Sequence, residues 1–484
     1  MHILDILQSL KAQTGAGSAG RKMEILVENE GNSDLRSFFM WALDPNINYW
    51  QSKITKSDAL ALEFEGVGDH SITSAMAEIW RDLVSRNVTG NKAKRLLSEI
   101  YYYLEDPKDR EILDRIITGK PDIGCGVGTL NKVWDELIYD PAYMRCKGYS
   151  PKLVKDWDFE NEVIYSDLKA DGMFDNMILG DQVEFETRSG ESLPKVVNSL
   201  DLSYFQALEK IKSYLTIYGE VKDPVLHGEF LVIKDGEIME RSKGNGLINK
   251  VKLGGAFPKN HYIRLVIWDY IPKENFLSHE EYPVTYDVKF DLLTEIFSQM
   301  EDDQVQLIEY KRVKSMMEAQ RHFVECLQAG FEGTVLKNAS RLTWKNHTSP
   351  NQLKLKNKFR FEMRVTGFTE GEGKFAPTFG SMEIISECGL LISSISGIKD
   401  KLRKEIHENR SDYMDNVVEV EANGLFVNDD GSYGIMHGRF KELRQDRVEA
   451  DALERIIQQE IDSITGSGIE SKNKLLIEEL EKDE

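Results

Sequence analysis

Lys169 stands in the stretch Ser166-Asp167-Leu168-Lys169-Ala170-Asp171-Gly172. Once it has shed its proton, a lysine amine can attack an electrophile and carry a group covalently. Downstream, Leu226-His227-Gly228-Glu229-Phe230 and Phe331-Glu332-Gly333 each offer a carboxylate, and Leu353-Lys354-Leu355-Lys356 offers two more ammoniums. The lysines alternate with leucines, so in a strand both ammoniums share one face and the leucines take the other. Two such charges can hold phosphate oxygens, and their field favours a neutral, nucleophilic amine nearby. Magnesium needs only one or two carboxylates beside substrate phosphates. Taken singly, each fragment is ordinary: Lys-x-Asp-Gly and Glu-Gly occur in plain turns, and the lysine pair could be a solvated strand face. Their order along one chain points to a single nucleotide-binding site with Lys169 as nucleophile.

The series continues through Thr187-Arg188-Ser189-Gly190, Val266-Ile267-Trp268-Asp269-Tyr270 and Arg444-Gln445-Asp446-Arg447. With these motifs in this order, the chain resembles the ATP-dependent DNA ligases of the covalent nucleotidyltransferase superfamily, their bacteriophage members included, over nearly its whole length. The resemblance implies that Lys169 takes AMP from ATP with Mg2+ as cofactor. AMP then passes to the 5′-phosphate of nicked double-stranded DNA, and a 3′-hydroxyl displaces it to seal the nick. It further implies that Glu332 binds the metal, that Glu229 contacts the ribose and shares the metal, and that Asp167 reads the adenine amino group. Trp268 is expected to stack on adenine, although a buried core tryptophan would give the same pattern. Arg188, with its bidentate fork, matches a phosphate and sugar contact. Arg444, Asp446 and Arg447 match the motif that orients pyrophosphate during self-charging, before a C-terminal domain swings about a hinge near Met363 to Gly367.

Two positions depart from the family pattern. Phe174 stands where an arginine usually follows Lys-x-Asp-Gly, which removes a charged contact and leaves Arg188 as another cation that could serve; Arg447 stands where lysine is usual. An RNA ligase or capping-type nucleotidyltransferase is the alternative within the same chemistry. A non-catalytic DNA-end binding scaffold is the alternative outside it.

Helix-period segments such as Ala75 to Trp80 and Ala93 to Tyr101 predict an all-α DNA-binding domain over residues 1–140. Gly124, Gly126 and Gly128 precede a predicted helix at Leu130 to Trp134, where backbone amides could approach a phosphate. Asp140-Pro141 and Gly148 to Pro151 read as a linker. An α+β nucleotidyltransferase (adenylation) domain is expected over 150–362, with helices at Asp201 to Tyr218 and Lys314 to Ala329. Short strands between Gly-rich or acidic turns then predict an OB-fold β-barrel over 363–468 and an acidic tail over 469–484.

With 41 % hydrophobic residues among 484, the chain can bury several cores. Cys125, Cys146, Cys326 and Cys388 lie far apart with no Cys-x-x-Cys pair, which argues against structural zinc and suits a reducing compartment. Neither a secretory leader nor a membrane-spanning run is read, so a host-cell cytoplasm or nucleoid is expected, with the protein a monomer encircling DNA. The net charge of −21 opposes a polyanionic partner, so binding must use local basic patches. Lys92, Lys94 and Arg95, and Lys243, Lys250 and Lys252 in an expected loop between two core strands, are candidates.

Overall fold

The structure is a computed structural model that describes residues 2–56, 71–300, 302–329, 331–372, 375–427 and 431–465. Two compact units emerge: Met1–Pro141 with Glu186–Ser192, and Ala142–Phe185 with Leu193–Glu484. The expected acidic tail and the Asn428-Asp429-Asp430 turn fall outside the described residues.

In the first unit, the described elements up to Leu130 are helices. Their ends follow local chemistry: the Asn32 side chain accepts from the amides of Asp34 and Leu35 to start Ser33–Leu43, and Asp106 followed by Pro107 starts Pro107–Thr118. The apolar faces, including Leu7, Phe38, Phe39, Leu97 and Ile116, form one core. The helix expected at Leu130 to Trp134 is instead a single turn, Val127–Leu130. Asn131 ends it, because its side-chain amide donates to the Ile138 carbonyl at 2.8 Å and its oxygen accepts from the Ile138 amide at 3.0 Å. Trp134 is buried and donates to the Glu30 carbonyl. The glycine run is met from within, by Lys22 donating to the Gly124 carbonyl at 2.9 Å.

The second unit contains three principal sheets. One has the order Arg145–Gly148, Thr348–Lys356, Gly333–Asn338, Ile164–Leu168, Tyr310–Arg312. Its first pair is parallel and the rest are antiparallel. A six-stranded sheet centres on the long strands Pro224–Lys234 and His261–Pro272, paired over eleven positions. Helices Leu202–Tyr218 and Tyr286–Ser298 pack on it around Phe185, Phe230, Ile267 and Phe290. Residues 241–252, expected as loop, form the helix Arg241–Lys252, which seats Ile248 and Val251 in that core while Lys243 and Lys250 face solvent. Its 3.6-residue apolar spacing was hidden by two glycines, Gly244 and Gly246.

The third sheet is antiparallel, with Phe359–Glu370 at its centre flanked by Phe379–Ile385 and Val417–Ala422. Its edges meet where Ser396 bridges Arg439. The expected strand Gly389 to Ile395 shortens to Ile392–Ile395 because Gly389 turns at φ +76°. Likewise Gly434 to Phe440 divides at His437, φ +55°, into Tyr433–Met436 and Arg439–Leu443. Met363 to Gly367 do not form a hinge: they lie inside the strand Phe359–Glu370, with Met363 and Val365 fully buried. The ladders break instead at Asn357 and Lys358, between Thr348–Lys356 and Phe359–Glu370. Among the described residues, no helix is long and apolar enough to cross a membrane.

Candidate active site

Lys169 directly follows the buried strand Ile164–Leu168, and its amide donates to the Gly333 carbonyl at 2.9 Å. That bond sets Lys169 opposite the start of Gly333–Asn338 and hence beside Glu332. The Lys169 Nζ lies 2.5 Å from Glu332 Oε2, while the other oxygen of the same carboxylate pairs with Lys356. Burial pushes Glu332 up, but Lys169 and Lys356 outweigh it and hold the carboxyl below its usual value. Leu353 and Leu355 are buried on the opposite face from Lys354 and Lys356, as the alternation requires. Lys354 has no ion-pair partner among the described residues.

Two glycines make this approach close. A Cβ on Gly172 would collide with the Phe230 carbonyl, and one on Gly333, at φ +139°, with the Leu355 carbonyl. The bare Gly172 amide donates to Glu229 Oε1 at 2.8 Å. Burial lifts Glu229 to about 7, with Lys169 pulling the other way, so both carboxylates act on the same ammonium. Among the described residues no group of three or more His, Cys, Asp or Glu could hold a metal.

Asp167 is buried, and its Oδ2 pairs with Lys337 at 2.7 Å and accepts from Tyr286 at 3.2 Å. The other oxygen, Oδ1, is buried with no hydrogen-bond partner among the described residues. The Trp268 carbonyl, 2.8 Å from the Tyr286 hydroxyl, shares that hydroxyl's single proton with Asp167, and the phenol oxygen accepts from Lys337 at 2.7 Å, tying the strands of Asp167 and Trp268 together. Burial and then Asp167 drive the Tyr286 phenol well above the usual range, so it remains a donor. The Trp268 ring is half-buried and packs against Phe174 at 5.9 Å between centroids. Tyr286 and Lys337 were not singled out as site residues. Neither carries a sequence signal: Lys337 reaches Asp167 only through strand pairing, where its register partner is Tyr165, and Tyr286 opens a helix.

The remaining expected residues have other surroundings on the chain. Arg188 sits in the turn closed by the Gly190 amide on the Thr187 carbonyl, in the segment that clusters with the first unit. Arg444 clasps Asp446 through two bonds of 2.9 Å and donates to Glu362 at 2.5 Å, with Arg447 4.0 Å from the same carboxylate. The Arg444 bond holds Asp446 down to about 2. Among the described residues, none of the ion pairs around Lys169 includes these three.

Residues 146–356 match the family model described as the ATP dependent DNA ligase domain, a span that runs from just before the nucleophile through Lys356. The DNA ligase of Enterobacteria phage T6 is 28 % identical over 93 % of this chain and 98 % of its own. That of Enterobacteria phage T4 is 27 % identical over the same shares. Residues 146–356 thus match an ATP-dependent DNA ligase domain, and the chain is similar to phage DNA ligases over nearly its whole length. Among solved structures, Pmar-Lig_PreS3 superposes with a TM-score of 0.67 over 92 % of this chain and 99 % of its own, at 18 % identity, which speaks for the ligase fold. In this chain the lysine, its two carboxylates and the second lysine of the Leu-Lys-Leu-Lys stretch converge from four strands and their flanking turns.

Proposed function

We propose that this chain seals 5′-phosphate/3′-hydroxyl nicks in duplex DNA in three transfers. First, the Lys169 nitrogen bonds to the α-phosphorus of ATP as the α–β bridging bond breaks; pyrophosphate leaves with the electron pair and the amine gives up its proton. Next, an oxygen of the DNA 5′-phosphate takes the adenylyl phosphorus, the P–N bond breaks, and Lys169 is reprotonated. Last, the 3′-hydroxyl oxygen attacks the DNA 5′-phosphorus, its proton goes to solvent, and AMP departs. The reading rests on one observation: Glu332 divides its carboxylate between Lys169 and Lys356. An ammonium held by a whole carboxylate would stay protonated, and sharing that carboxylate weakens the hold.

Lys354 and Lys356 are assigned to the α-phosphate oxygens. The unpartnered Asp167 Oδ1 is assigned to the adenine amino group and the Trp268 ring to its face. Glu229 takes the ribose, and Glu229 with Glu332 would hold Mg2+, which supplies charge neutralisation on the phosphates. Arg188, Arg444, Asp446 and Arg447 are assigned to phosphate and pyrophosphate contacts, which for Arg444 and Arg447 requires release from Glu362. The helical residues 1–140 are read as a DNA-binding domain and the closed C-terminal sheet as an OB-fold barrel, in a monomer that encircles its substrate in the host cytoplasm.

The test is incubation with α-labelled ATP and Mg2+, followed by nicked duplex DNA or single-stranded RNA. Acid-labile label on the wild type, none on Lys169→Ala, and transfer to the DNA are expected. Preferential transfer to RNA would place the chain with the RNA ligases, and no label on the wild type would leave a DNA-end scaffold.

A further inference from the structure

Arg145 opens the strand Arg145–Gly148 and is exposed. The chain holds 82 Asp and Glu against 61 Lys and Arg, yet among the described residues this guanidinium has neither an ion-pair nor a hydrogen-bond partner. It lies over the Tyr143 ring, 5.6 Å from the centroid. Tyr143 in turn meets Phe174 edge to face at 4.8 Å, and Phe174 packs on Trp268. The neighbouring residue, Cys146, lies in the field of Lys337, Lys169 and Lys354, so this strand borders the Lys169 cluster. A guanidinium stacked on a ring keeps its in-plane N–H fork open to an anion, whereas the same group salt-bridged to a carboxylate does not.

We propose that Arg145 is a phosphate-binding residue of this site. It supplies from the Arg145–Gly148 strand the cation that Phe174 withholds from Met173–Leu179, with the Tyr143–Phe174 pair as its platform. Its ligand is the 5′-phosphate of the nick, since Arg145 stands exposed and two rings out from Trp268, on the side a polymer can reach. The inference rests on the nick-sealing reading above.

The test separates charging from transfer. Full-length wild type, Arg145→Ala and Arg145→Lys are each charged with labelled ATP, freed of ATP, and mixed with nicked duplex DNA in a single turnover. Lysyl-AMP formation by Arg145→Ala should stay within about twofold of wild type, while its transfer to the 5′-phosphate slows roughly 10- to 100-fold, the size of a lost charged hydrogen bond. Arg145→Lys, with charge but no fork, should fall between. Transfer at the wild-type rate from charged Arg145→Ala overturns the inference. So does a loss confined to charging, which would assign the residue to the triphosphate. Absence of label on the wild type instead sinks the sealing reading itself.

Discussion

Glu229 shows how a single side chain can trade stability against chemistry. An unfolded glutamate titrates near 4.5 and this one, in its burial, near 7. Between those values the native state holds a proton that the unfolded chain has lost, so stability is greatest below the lower value and declines as pH rises through the upper one. Glu229→Gln keeps an oxygen for the Gly172 amide and removes the ionisable proton. It should raise the melting temperature more at about pH 8.5 than at about pH 5.5, a difference on the order of 1–2 kcal/mol, while sealing falls. Calorimetry at the two pH values checks this, and an equal shift at both would refute the assigned titration. Lys356 invites a second substitution. With Lys356→Ala, Glu332 is left wholly to Lys169 and the proposed α-phosphate contact is lost, so the rate of lysyl-AMP formation should drop about tenfold or more. His227, between Glu229 and the aromatic residues, serves packing: burial lowers it to about 4, and its ring stacks on Trp344.

At the scale of elements, the helix Tyr286–Ser298 is fixed to the sheet through a fully buried pair, Lys289 to Asp269 at 2.6 Å. Lys289→Met would leave a carboxylate uncompensated in the core and should cost about 3–5 kcal/mol in denaturant unfolding, much of it recovered in the double variant with Asp269→Leu. Because the same helix brings Tyr286 to Asp167 and Trp268, ATP affinity should weaken in the single variant even where it remains folded. Gly172→Ala is expected to disturb the site locally instead, since its Cβ would push against the Phe230 carbonyl; lysyl-AMP yield should fall with little change in far-ultraviolet circular dichroism. These elements also mark what sequence alone could reach. Lys169, Glu332 and Lys356 were legible because a strand period and a glycine fix where each side chain points. The pairing of Lys337 and Tyr286 with Asp167 was not, because it joins residues 119 and more positions apart through side chains of no special spacing. Asn131 ended a helix that periodicity alone would continue, and the hinge was misplaced because a long strand through Met363 to Gly367 reads like two short ones around a glycine.

For the molecule as a whole, a charge of −21 must coexist with a polyanionic substrate. Several cations proposed for DNA contact are already matched internally: Arg95 bonds Glu99 at 2.7 Å, and Lys243 lies 3.8 Å from Glu240. Affinity for nicked duplex should therefore hang on few local contacts and be strongly salt-sensitive, weakening at least about 100-fold between roughly 50 and 200 mM monovalent salt. Fluorescence anisotropy on a labelled nick measures it, and a flat response would argue against phosphate-led binding. The ladder that houses Lys169 has a further consequence during synthesis. Lys169 leaves the ribosome 163 residues ahead of Glu332, its ion-pair partner, and Arg145 waits longer still for the strand Thr348–Lys356 that it borders. A nascent chain stalled before that strand emerges exposes the unpaired edges of Gly333–Asn338 and Arg145–Gly148, so truncated translation products of this chain should aggregate or be degraded and never carry AMP.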